Sequence, residues 1–600
     1  ASVTVELGLS VCLSVCLLLS ISLLGCLFVT ETIPSTQQAT KNGDTAVIIA
    51  VKRHDPATLR ELVRAESDLN LQNQEGLTPL MIAARSWRTD ITNILLEGEN
   101  INLDIQEKGT GWSALHISAE TGYSATTVAL LKAEANAHLK DKNGDTAVII
   151  AVKSCHPATL RELVRAGSDL NLQNQEGLTP LMIAATSWRT DITNILLEGE
   201  NINLDIQEKG TGWSALHFSA ETGNSATTVA LLKAGANPRL KDKNGDTAVI
   251  IAVKRHDPVT LRELVREGSD LNLQNQEGLT PLMIAARRGM ADITKILLEG
   301  EHIMDIQEKG TGWSALRFSA ERGYSATTEA LLKAGANAHL KDKNGDTAVI
   351  IAVKRCHPAT LRELVRAGSD LNLQNQEGLT PLMIAARSWR TDITNILLEG
   401  ENINLDIQEK GTGRSAFHFS AETGNSATTV ALLKAGANPR LKDKNGDTAV
   451  IIAVKRHDPA TLRELVRAGS DLNLQNQEGL TPLMIAARRG MADITKILLE
   501  GEYINLDIQE KRIGQSALHF SAVIGDAATI EELLLAGANR HIKDKNGVTA
   551  TEITEQRAQY GLESETLAMG EMMSQSAMRQ LKSESKDIEG DDTSSSCKIL

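Results

Sequence analysis

Gly76-Leu77-Thr78-Pro79-Leu80-Met81-Ile82-Ala83-Ala84 is the stretch on which the reading of this chain turns. The Thr78 hydroxyl suits a helix N-cap, and Pro79 suits the first helical position, where a missing N–H costs nothing. Leu80, with the small Ala83 and Ala84, leaves a face that a second helix can approach closely. Ile91, Ile94 and Leu95 then recur at helical spacing, and Gly98 reads as a left-handed stop. One unit is therefore a turn, a helix, a tight loop, a second helix and a glycine. The nine residues return unchanged from Gly177, Gly278, Gly378 and Gly479.

Two further units share this plan. Asn42-Gly43-Asp44-Thr45-Ala46-Val47-Ile48-Ile49-Ala50 recurs around Gly144, Gly245, Gly345 and Gly446, with a weaker copy at Gly547. Gly111-Trp112-Ser113-Ala114-Leu115-His116 recurs in varied form from Gly212, Gly312, Gly413 and Gly514. The steps from Gly43 to Gly76, Gly111 and Gly144 are 33, 35 and 33 residues, a super-unit of 101 that occurs five times, once shortened to 100. With the last partial copy the array has 16 units.

A 33-residue period with a Thr-Pro-Leu helix start resembles the ankyrin repeat family. The resemblance covers residues 41–560 and includes Leu-Leu-x-x-Gly-Ala second-helix ends such as Leu231 to Ala236. It implies an all-α solenoid of helix-turn-helix repeats with β-hairpin-like fingers, each repeat burying its apolar face against its neighbours. Only the Gly76-type units keep Thr-Pro-Leu. Only the Gly111-type units keep the family's histidine, at His116, His217, His418 and His519, with Arg317 in the remaining copy. Glu66 and Glu134 stand where other copies have the glycine that ends the second helix, both in the first super-unit.

The resemblance implies protein partners, contacted through the fingers and first helices. The two extra residues of the 35-residue step lengthen the turn Asp104 to Thr110 before Trp112. By position, Trp112, Trp213 and Trp313, with Arg414 and Gln515 in the same slot later, are candidate anchors for a protein partner. The alternative is packing against the adjacent finger. Arg85, Arg287 and Arg387 end first helices and are candidate rim contacts. Trp87, Trp188 and Trp389 fall in the tight loop between helices, where local packing is expected.

The net charge of −14 argues against nucleic acid, whose phosphates call for a basic face. Phosphate-loop, zinc-protease and nucleophile-elbow motifs are missing from the sequence, so neither catalysis nor a cofactor is expected. The repeated histidine reads as structural, with no second ligand at metal spacing. Cys155 and Cys356 lie two super-units apart, too far in a solenoid for a disulfide, and read as free thiols.

Residues 1–30 contain an uncharged run, Leu7 to Val29, long enough to span a bilayer as a helix. A cleaved signal peptide is the main rival, and Leu23-Leu24-Gly25-Cys26 loosely resembles a lipobox. Lys41, Lys52 and Arg53 follow the run and none precedes it, which puts the repeats on the cytoplasmic side. Residues 31–40 read as a linker. Residues 561–600 read as a mostly disordered tail ending Cys597-Lys598-Ile599-Leu600, which resembles a prenylation box. The expectation is a monomeric, membrane-tethered scaffold that binds proteins. Its rivals are a secreted or lipidated effector and a non-catalytic arm of a larger membrane protein or enzyme.

Overall fold

A computed structural model describes residues 42–300 and 304–559. The uncharged run at 7–29, the linker at 31–40 and the tail at 561–600 with Cys597 lie outside the described residues. So does the terminal hydrophobic helix expected from that run. Among the described residues no helix is long and apolar enough to cross a membrane.

The described chain is a succession of short antiparallel helix pairs. In the first super-unit the inner helices are Ala46–Arg53, Pro79–Arg85 and Ala114–Thr121, and the outer helices are Pro56–Arg64, Thr89–Leu96 and Ser124–Lys132. Inner helices pack on inner helices and outer on outer, from one repeat to the next. The helices begin where side-chain oxygens meet orphan N–H groups. Thr78 Oγ1 accepts from Met81 N at 3.2 Å and Thr45 Oγ1 from Ile48 N at 3.3 Å. Leu59, Leu80, Ile91 and Leu95 are buried in the seams. Burial of each such side chain contributes about 1.5–3 kcal/mol before the entropy cost of ordering it.

The described residues form two compact units, 42–284 with 295–300, and 285–294 with 304–559. The helix pairs are built the same way in both.

Two expectations need correction. The fingers are tight turns, not hairpins: among the described residues there is no strand, and the one isolated bridge is Lys543–Thr549. Each turn is closed by the bond from Asn73 N to Leu77 O and its equivalents, and successive turns are linked by single backbone bonds such as Lys142 N to Thr110 O. Gly98 is not left-handed. A Cβ there would lie 2.4 Å from Leu69 Cδ1, so glycine is needed for close approach. The left-handed residue comes two positions later, at Asn100 (φ 64°), and again at Asn201, Asn402 and Tyr503. Glu66 and Glu134 do hold positive φ, 54° and 67°. A non-glycine residue there costs about 1 kcal/mol.

Candidate protein-binding surfaces

Tryptophan recurs at two places in the super-unit, and the two rows have different surroundings. The finger-base row is half-buried. Trp112 Nε1 donates to Asp141 Oδ2 of the next repeat at 3.0 Å, and Trp213 Nε1 donates to Asp242 Oδ2 at 3.1 Å. The same aspartates accept, through Oδ1, from the backbone of their own turn: Asn143 N and Asp145 N both reach Asp141 at 2.8 Å. Each ring therefore ties a finger to the start of the next repeat. Trp213 also meets Phe218 edge-on, with centroids 5.2 Å apart.

In the third super-unit Arg317 stands in the histidine position and enters this seam. Its guanidinium lies 3.8 Å from the Trp313 ring centroid and reaches Glu321 at 2.9 Å and Asp342 at 3.4 Å. Glu321 is held in turn by Arg355 at 2.7 Å. Burial pushes the Glu321 carboxyl up, but the bonds from Arg355 and Arg317 outweigh it and hold the pKa below the ordinary value. In the fourth super-unit Arg414 fills the tryptophan slot and pairs with Glu422 at 2.8 Å and Asp443 at 3.4 Å. Gln515 is half-buried in the fifth. Tryptophan, arginine and glutamine thus occupy one seam position with changing chemistry.

Two buried groups brace the same seam. His116 Nδ1 accepts from Ser113 N at 3.1 Å, so Nε2 carries the proton and donates to Asp145 O at 3.2 Å. Burial keeps His116, His217 and His418 below the usual histidine pKa. In the finger, the Glu208 carboxylate accepts from the Thr211 hydroxyl and from the N–H groups of Gly210, Thr211, Gly212 and Trp213. Burial alone would raise its pKa. The donors outweigh that and bring it to about 2, and Glu107, Glu308, Glu409 and Glu510 shift the same way.

The loop row is open to solvent, contrary to the packing expected for it. Trp87, Trp188 and Trp389 are 78%, 72% and 63% exposed. The loop is short because the inner helix ends abruptly, with Ser86 Oγ donating to Ala83 O at 2.8 Å. The residue after each tryptophan is an arginine clamped to the first turn of the outer helix: Arg189 to Asp191 at 2.9 Å and Arg390 to Asp392 at 3.1 Å. The arginine bond holds Asp191 and Asp392 below the ordinary carboxylate pKa. Two other copies turn the same corner with Gly289 (φ 72°) and Gly490 (φ 64°), and Trp389 turns it with φ 58°. Arg85 and Arg387 are exposed at the ends of their inner helices, and the Arg387 guanidinium lies 5.5 Å from the Phe419 ring centroid. Arg287 is half-buried.

The repeated helix pair, its caps and its close-approach glycines agree with the ankyrin resemblance. A family model described as ankyrin repeats (3 copies) matches residues 18–106, 47–132, 102–174, 153–242, 181–261, 249–342, 318–408 and 450–546. The chain belongs to the ankyrin repeat family. It is 32% identical over 138 residues to the B-cell lymphoma 3 protein homolog of Mus musculus, covering 22% of this chain and 31% of that one. It is 28% identical over 138 residues to the putative palmitoyltransferase ZDHHC13 of Danio rerio, covering 23% and 21%. With the neurogenic locus notch homolog protein 1 of Homo sapiens it shares 28% over 162 residues, covering 27% and 6%. The chain therefore spans less than a third of the length of these relatives. Among solved structures, the ankyrin repeat domain of Bcl-3 matches at 28% identity and a TM-score of 0.35, covering 37% of this ankyrin chain and 99% of that one.

Proposed function

We propose that this ankyrin array is a non-catalytic scaffold that binds partner proteins along its tight-loop edge, with Trp87, Trp188 and Trp389 as anchors and Arg85 and Arg387 beside them. The observation that carries this reading is the exposure of those three rings in a loop that Gly289 and Gly490 close without a side chain. Tryptophan and arginine are the residue types that dominate binding energy at interfaces. The finger-base residues Trp112, Trp213, Trp313 and Arg414 we assign to joining repeats, because their polar groups or rings already have partners in the array. A photo-crosslinking side chain placed at position 87, 188 or 389 should capture the partner, and one at 112 or 213 should not. Capture only from 112 and 213 would reverse the assignment.

We also propose that the scaffold acts at a membrane as a monomer, tethered through residues 7–29 with the repeats on the cytoplasmic side. An uncharged run of that length is costly to leave in water. Carbonate extraction of membranes should leave the full chain in the pellet and release a chain that begins at Thr40. Equal release of both would remove the tether and leave the binding edge unaffected.

A further inference from the structure

Tyr503 is 91% exposed, more than any other exposed large hydrophobic or aromatic residue among the described residues. It occupies a left-handed position, φ 61°, in the loop after the Ala492–Leu499 helix. Three other copies hold that position with asparagine: Asn100, Asn201 and Asn402. Asparagine tolerates this conformation, whereas a bulky side chain is an outlier there. The substitution leaves the backbone role intact, since Asn473 Nδ2 donates to Tyr503 O at 2.9 Å as Asn372 Nδ2 does to Asn402 O. With the ring almost fully exposed, it gains no packing in return. What the phenol meets must therefore come from solution.

The surroundings say what that is. Glu500 and Glu502 precede Tyr503 and are exposed, and Ile504 comes after it. In the equivalent loop of the fourth super-unit, a cleft of about 400 Å³ is lined by Arg362, Arg366, Glu399, Glu401 and Asn402 among others. The corresponding arginines of the fifth super-unit are Arg463 and Arg467, the latter already paired with Glu464 at 2.9 Å. An acidic approach to an exposed phenol suits an enzyme with a basic substrate groove.

We propose that Tyr503 is a phosphoryl acceptor, selected by a protein tyrosine kinase through Glu500 and Glu502. The Tyr503 oxygen attacks the γ-phosphorus of a nucleoside triphosphate. The new O–P bond forms as the bond to the nucleoside diphosphate breaks, and the phenolic proton passes to the kinase's base. The product places about two negative charges in a loop of the last full super-unit.

The other described tyrosines are internal controls. Tyr123 is half-buried, and Tyr324, 37% exposed, packs one side against Gly289, where an added Cβ would meet its ring at 2.7 Å. Both rings are less accessible than Tyr503, so Tyr503 should be modified at least about tenfold faster than either. The experiment incubates the full chain with magnesium ATP and a broad-specificity tyrosine kinase that favours acidic substrates, and tracks each tyrosine by mass spectrometry. Tyr503→Asn, the residue of three other copies, should keep the fold and remove the fast phase. Glu500→Gln with Glu502→Gln should slow it severalfold while Tyr503 stays exposed. A Tyr503 that reacts no faster than Tyr123 and Tyr324 would overturn the proposal. So would a fast phase indifferent to the two carboxylates, which would leave Tyr503 as an exposed ring and nothing more.

Discussion

Trp112 and Trp87 belong to neighbouring repeats, recur with the same 101-residue period, and end in opposite environments. The first gives its indole N–H to Asp141 and is half-buried, and the second is 78% exposed. The difference lies in the neighbour each residue meets in space. The finger base faces the turn of the next repeat, which carries an aspartate with an oxygen to accept the indole. The tight loop faces solvent, and its neighbouring arginine is already held by Asp90 or its equivalents. Recurrence shows that a residue is copied, and surroundings show what it touches. In this array the half-buried row joins repeats and the exposed row is free to meet a partner.

The seam role of the finger-base row can be broken most severely in the third super-unit. Arg317 is 8% exposed at its side chain and faces Asp342, at 1%, and Glu321, at 13%. Arg317→Ala strips a buried cation from two buried carboxylates and should cost about 3–5 kcal/mol. Urea denaturation should show the third super-unit opening first in this variant. Arg317→His, which restores the residue of the other copies, should recover part of the loss by bonding the next repeat's backbone as His116 does.

Acid should loosen the seams next. His116, His217 and His418 have folded pKa values below their unfolded ones, so the unfolded chain binds protons first and stability falls as pH drops below about 6.5. The finger carboxylates add a second loss from pH 4.5 down, through about 2 at Glu208. Denaturation midpoints at pH 7.5, 5.5 and 3.5 should therefore decrease in that order. Glu208→Gln should lower the midpoint at pH 7.5 and flatten the lower part of the curve. A midpoint that rises from pH 7.5 to 5.5 would contradict the buried neutral histidines.

The smallest effect concerns the left-handed stops. Glu66→Gly and Glu134→Gly should each stabilise by up to about 1 kcal/mol, since Gly167 and Gly235 serve the same corner in the second super-unit. Amide exchange in residues 45–135 should slow in the double variant and stay unchanged in residues 350–440.

Much of the fold is legible in the sequence because local chemistry settles it. Thr78 and Pro79 specify a helix start whatever surrounds them, and Glu66 declares itself by standing where every later super-unit has glycine in that unit. Gly98 misleads because glycine answers two needs, a left-handed turn or a close approach. Only Leu69, folded against it, decides between them. The site is less legible than the fold. Asp141 lies 29 residues beyond Trp112, and Asp242, Asp342, Asp443 and Asp544 keep that offset from Trp213, Trp313, Arg414 and Gln515. The constant offset is a usable signal for the seam. No comparable signal marks Trp87, whose exposure depends on the absence of a neighbour.

The most direct test sets the two rows against each other. One variant carries Trp87→Ala, Trp188→Ala and Trp389→Ala, and the other carries Trp112→Ala, Trp213→Ala and Trp313→Ala. A partner captured by the full chain is titrated against both, and both are melted. The loop variant should bind at least roughly thirtyfold more weakly, the loss expected when interface tryptophans worth about 2 kcal/mol are cut away, and should melt with the parent. The finger-base variant should melt lower and, while folded, bind as the parent does. A loop variant with parental affinity, beside a finger-base variant that melts normally and no longer binds, would contradict the account.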